Sequence, residues 1–210
     1  MGWFEGFSVA ALLLALAAPV WAGAFADGDR ASRLSMLLPA ERMARIGADL
    51  RAALAHLAVW SVPLLVTVVG PMWVTDKWSF REVALAQHDL WLLAALPVAF
   101  AAYVGAAGIG LGSAPTVAAV PRRARKAMRV LVAATLAWPA AHLYLGARPA
   151  ETHADLALLL LKSLAVGAII YRLSGLSRPV SPTAARWLSP TLAALALANV
   201  SVVVLAHWAD

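Results

Sequence analysis

The 210 residues include no cysteine, which excludes disulfides, thiolate metal sites and a cysteine nucleophile. Charge is also scarce. Only 13% of residues are charged and 62% are hydrophobic, against about 25% and roughly 45–50% in ordinary soluble domains. A mean hydropathy of +0.78 excludes a disordered chain and argues against a soluble globular domain. Acid is scarcest of all, because no Asp or Glu falls inside any long apolar run. The period-two alternation of a membrane barrel is missing. So are a Walker loop, a dinucleotide fingerprint, a nucleophile elbow and an HExxH helix.

What the chain does have is long uncharged runs. Residues 6–26, 52–75, 90–121, 130–147 and 187–209 carry no charge, and 156–171 is interrupted only by Lys162. A helix needs about 20 mostly apolar residues to cross a hydrocarbon core of about 30 Å. The runs therefore predict an all-α integral membrane protein, a single polytopic domain of six transmembrane helices at about 5–26, 54–75, 90–112, 127–147, 154–175 and 187–208. Residues 5–26 carry a leader-like Ala22-Gly23-Ala24, but the stretch before them holds Glu5 and no Lys or Arg, so they read as a span. Trp3, Trp73, Trp78, Trp91, Trp187 and Trp208 lie near span ends, where headgroup-level aromatics belong.

Basic residues set the orientation. Loop 27–53 holds Arg30, Arg33, Arg42, Arg45 and Arg51, and loop 113–129 holds Arg122, Arg123, Arg125, Lys126 and Arg129. The last loop holds Arg178 and Arg186, with Arg172 at its edge, whereas the intervening loops hold only Lys77, Arg81 and Arg148. These counts place the basic loops in the cytoplasm and both termini on the outer, periplasmic side of a bacterial inner membrane. The net charge of +6 is then a loop property and carries no suggestion of nucleic acid. In loop 27–53, Pro39 suits a first helical turn and Met43, Ile46 and Leu50 follow at helical spacing, predicting a short helix on the membrane surface.

Few residues invite chemistry. Lys162 lies about a third of the way into its span, where an ammonium costs roughly 2.5–3.5 kcal/mol. It reads either as part of a proton or ion pathway or as a lysine snorkelling to the interface. No span supplies a carboxylate partner, so a buried Lys162 predicts a second protein beside it. Of the histidines, His88, His142, His153 and His207 fall in the outer half. Facing pairs can ligate a b-type haem, and clusters can bind copper or zinc. His142 and His207 are the weak metal candidates, but no spacing singles them out, and the expectation is no metal and no cofactor. Gly105, Gly108, Gly110 and Gly112 lie among small residues and suit close helix packing.

The last third reads Leu160-Leu161-Lys162-Ser163, Tyr171-Arg172, Arg178-Pro179, Trp187, Pro190 and Asn199. Upstream stand Arg51-Ala52-Ala53 with Leu57, then Glu82-Val83 with Gln87, Trp91 and Pro97. Over residues 45–210 this series resembles the quinone-channel membrane subunit of respiratory complex I and of group-4 hydrogenase-type complexes, shortened by two spans at the N-terminus. The resemblance implies a component of a multi-subunit, proton-translocating assembly. Lys162 and Arg172 match the family's charged positions. Antiporter-like membrane subunits and an acidic cytoplasmic subunit are the implied partners, the latter at Arg122, Arg123, Arg125, Lys126 and Arg129. The departures are as informative. Val59 and Trp60 stand where the family has a Tyr-Glu pair, Ala55 replaces its Gln, and Thr116-Val117 and a basic run replace its acidic loop. The chain is therefore expected to anchor a soluble module without reducing quinone. A stand-alone transporter or channel, and a haem b or quinone-binding electron-transfer component, are the alternatives.

Overall fold

The computed structural model describes residues 39–87, 90–113, 122–146, 152–176 and 180–209. They form α1 (Pro39–Thr75), α2 (Phe80–Ala86), α3 (Trp91–Ala95), α4 (Pro97–Gly112), α5 (Arg122–Leu145), α6 (His153–Leu176) and α7 (Pro182–Ala209), with no strand among the described residues. Side chains set several starts. Ser79 Oγ accepts from Glu82 N at 3.1 Å, Thr152 Oγ1 from Asp155 N at 3.1 Å and Ser181 Oγ from Ala184 N at 3.1 Å, each answering an amide that a helix start leaves without a partner.

Three helices are long and apolar enough to cross a membrane, Leu54–Thr75 within α1, His153–Leu176 and Thr183–His207. They coincide with three of the expected spans within a few residues. The span expected at 5–26 lies outside the described residues. The other two differ from expectation. Residues 90–112 are a broken helix, five residues of α3 and sixteen of α4, because Pro97 has no amide to continue α3 and restricts Leu96 before it. α5 starts at Arg122, so the basic run forms its first two turns, and its apolar part is the shorter Arg129–Leu145. The helix expected in 27–53 starts where the sequence places it and has no separate end. Helix does begin at Pro39, but it runs unbroken into the apolar segment as one 37-residue element.

α4 is the hub, packing on α1, α5, α6 and α7. Many of its inward residues are small, with Ala99, Ala102, Ala106 and Ala107 all buried, so neighbouring backbones come close. A methyl at Gly108 would lie 2.6 Å from Leu173 Cβ, and one at Gly110 3.1 Å from the Trp60 ring. Around α4, helices α7, α1, α5 and α6 form a ring that is open between α6 and α7, which share no substantial contact. The outer faces of α6 and α7 are apolar. Leu161, Leu164, Val202 and Leu205 are 64–68% exposed, which suits lipid as the solvent rather than water.

Candidate functional site

An α-helix ends with four carbonyls that have no intrahelical donor, and where they are buried water does not answer them. The C-terminal end of α5 is such a place, and two side chains close it. Gln87, after α2, is buried and donates Nε2 to His142 O at 2.9 Å and Leu143 O at 2.7 Å. From α6, Lys162 donates Nζ to Leu145 O at 2.5 Å and lies 3.4 Å from Gly146 O. A cation at a helix C-terminus also faces the negative end of the macrodipole. Gly146 lets the chain leave the helix. Its φ is +56°, and a methyl there would meet Gln87 Cβ and Oε1 at 3.3 Å. Because Nε2 must face two carbonyls, the Gln87 amide has one orientation, and its Oε1 is buried without a partner. The His142 ring is buried with its edge on Trp138 at 5.4 Å.

The same logic accounts for most other buried polar contacts. A proline within a helix removes the donor to the carbonyl four residues earlier. Pro63 frees Val59 O, and Ser189 Oγ from α7 donates to it. Pro71 frees Thr67 O, and Tyr144 OH from α5 donates to it at 2.5 Å. Beside Pro139, Tyr103 OH donates to Leu136 O at 2.6 Å. At the α3–α4 break, Asn199 of α7 accepts from Val98 N at 3.1 Å and Ala99 N at 3.2 Å and donates to Ala95 O at 3.2 Å. At the far end of α4, His56 Nε2 hydrogen-bonds Gly110 O at 2.9 Å. All but the Tyr103 bond, which meets a carbonyl that Pro139 does not free, tie a backbone irregularity on one helix to a side chain on another.

Lys162 is half-buried, and its partners include two carbonyls of its own chain, Leu145 O and Gly146 O. Arg172 is exposed ten residues further along α6, about 15 Å away along the axis, so the two matched charges share no site. In the basic run, Lys126 is exposed and Arg129 half-buried, while the side chains of Arg122, Arg123 and Arg125 are not among those described. His142 is inside the bundle and His207 on its surface. Among the described residues no three His, Asp or Glu side chains gather as a metal site would need. Tyr103, Tyr144 and Ser189 are missing from the sequence reading, although counting four residues back from each proline points to Val59 and Thr67 as carbonyls in need of donors.

The chain matches no known family model, no curated protein and no solved structure, so the resemblance to the quinone-channel family rests on its residues alone.

Proposed function

We propose that the chain is a membrane-anchoring scaffold component of a multi-subunit, complex-I-like assembly in a bacterial cytoplasmic membrane, with its basic end in the cytoplasm. On this reading residues 5–26, the α3–α4 pair and α5 cross the bilayer with the three longer helices, giving six spans. It joins a soluble module to antiporter-like, proton-translocating subunits and does not itself reduce quinone. One observation carries this reading. Most of the buried polar side chains bond the bundle's own backbone, with Gln87 and Lys162 closing α5, Asn199 bridging the α3–α4 break and Ser189 and Tyr144 answering proline-freed carbonyls, while Trp60 Nε1 and Ser163 Oγ are buried without a partner. Relays need ionisable groups within reach of one another, whereas these contacts hold helices in place. The apolar faces of α6 and α7 offer surface to lipid or to neighbouring membrane subunits. Purification of the tagged chain from its native membrane in mild detergent tests this. Co-elution of antiporter-like or hydrogenase-like subunits is the expected result, and a chain that runs alone overturns it.

A second reading, a stand-alone transporter, draws on the α3–α4 break, since discontinuous helices build substrate sites in many transporters. Ion flux through liposomes holding the lone protein, lost in Lys162→Ala, would favour it over the scaffold.

A further inference from the structure

We infer that the start of α5 holds one anionic phospholipid, its headgroup phosphate at Lys126 and an acyl chain along the helix below. A shallow, open surface depression of about 550 Å³ lies here along one face of α5, lined by Lys126, Ala127, Val130, Leu131 and Ala134. The last four recur at i, i+3, i+4 and i+7, a single face about two turns, or roughly 10 Å, long. Val130 is 50% and Leu131 61% exposed, so no described part of the chain covers this face.

Charge specifies the occupant. α5 has no acid in its first turn, and its N-terminal amides and macrodipole add to the positive field there. No Asp or Glu occurs in residues 105–135 or 156–209, which hold Arg122, Arg123, Arg125, Lys126, Arg129, Lys162, Arg172, Arg178 and Arg186. On the orientation the basic loops imply, the acids at this same end are Asp27, Asp29, Glu41 and Asp49, which share residues 27–53 with five Arg, so cations outnumber acids here. An anionic lipid meets both demands, placing a phosphate at the cation and hydrocarbon against the stripe beneath it. An acidic soluble protein would match the cations and leave Leu131 bare. A partner helix would cover the stripe and leave the charge unmet.

The inference rests on α5 being membrane-embedded, but not on the chain belonging to a larger assembly, so it can be tested on the protein purified alone. The probe is phosphatidylglycerol in phosphatidylcholine nanodiscs, with native mass spectrometry of the released protein counting retained lipid. One phosphatidylglycerol per chain is expected, in preference to phosphatidylcholine. Lys126→Glu should cut retention about tenfold or more, since roughly 1 kcal/mol per cation is at stake near an anionic surface and the substitution reverses a charge. Ala134→Leu, which keeps every charge and fills the slot, should also lower retention, whereas Arg186→Glu at the same end should not. Equal retention of the two lipids overturns the inference. So does sensitivity to Lys126→Glu without sensitivity to Ala134→Leu, which indicates a partner bound by charge alone, and so does the reverse pattern, which indicates an uncharged lipid or a helix. If Lys126→Glu does not fold, Lys126→Gln reads the same loss at smaller amplitude.

Discussion

The two ends of α5 solve opposite problems. At its C-terminus the helix leaves carbonyls, and the chain supplies an amide from Gln87 and an ammonium from Lys162 to meet them. At its N-terminus the helix leaves amide donors and a positive dipole end, and the chain supplies Arg122, Arg123, Arg125, Lys126 and Arg129, the sign the dipole disfavours. One end is completed from within the molecule, and the other is arranged for an anion from outside. Charge near a helix terminus therefore says little until its sign is set against that terminus. The cation at the C-terminal end bonds carbonyls of its own chain, and the cluster at the N-terminal end has the sign that attracts an anion.

The comparison is broken most directly at Gln87. Gln87→Leu fills similar space but leaves two buried carbonyls without donors, at about 1–3 kcal/mol each. A loss of roughly 3 kcal/mol should appear as a large fall in the melting temperature of the detergent-solubilised protein. An unchanged melting temperature would mean that the Gln87 bonds do not secure the end of α5.

Lys162 comes next. Lys162→Met removes a charge-assisted hydrogen bond, worth about 1.5–3 kcal/mol, and leaves Leu145 O unanswered. Lys162→Arg keeps a donor and a positive charge and should restore most of the lost stability. This pair of variants also tests the relay reading. A capping role predicts that stability follows the presence of a cation, with no change in proton flux through a reconstituted assembly. A relay role predicts lost flux in Lys162→Arg as well, because guanidinium does not deprotonate. Gly146→Ala should cost somewhat less, about 1–2 kcal/mol for a side chain at left-handed φ, plus displacement of Gln87 from its 3.3 Å approach. Circular dichroism melts resolve a change of that size.

How much of this arrangement the sequence discloses depends on which physical force decides each element. Apolar length decides 54–75, 154–175 and 187–208, and a count of apolar residues finds them to within four residues, against Leu54–Thr75, His153–Leu176 and Thr183–His207. Backbone stereochemistry decides the break at Leu96, and hydropathy is blind to it because Pro97 sits within an uncharged run. The signal lies in the proline itself. Hydropathy also sets the start of α5 five residues late, because cations end only the apolar part of a helix and not the helix. Lys162 is conspicuous in sequence, but a search for its partner among side chains finds nothing. Two of its partners are carbonyls, which every residue carries and which no residue letter marks. Gln87 is visible only within a resemblance, since nothing local announces an amide that binds a helix 55 residues away.

The smallest effect is the most discriminating, because its sign should depend on the surroundings. In neutral detergent Lys126→Glu puts a carboxylate at the positive end of α5, where an anion is worth about 0.3–1 kcal/mol. It also creates pairs with Arg122 and Arg129 at i,i+4 and i,i+3 spacing, each worth a few tenths of a kcal/mol. The variant should therefore melt slightly above the wild type. In membranes containing phosphatidylglycerol the wild type gains a bound lipid that stabilises the folded state by mass action, and the variant does not, so the order should reverse. No substitution at the other end of α5 should behave this way, because Gln87 and Lys162 find their partners inside the chain whatever the lipid. A Lys126→Glu variant that ranks the same in both media would mean that the two ends of α5 do not differ in kind, and that the basic cluster is simply solvated.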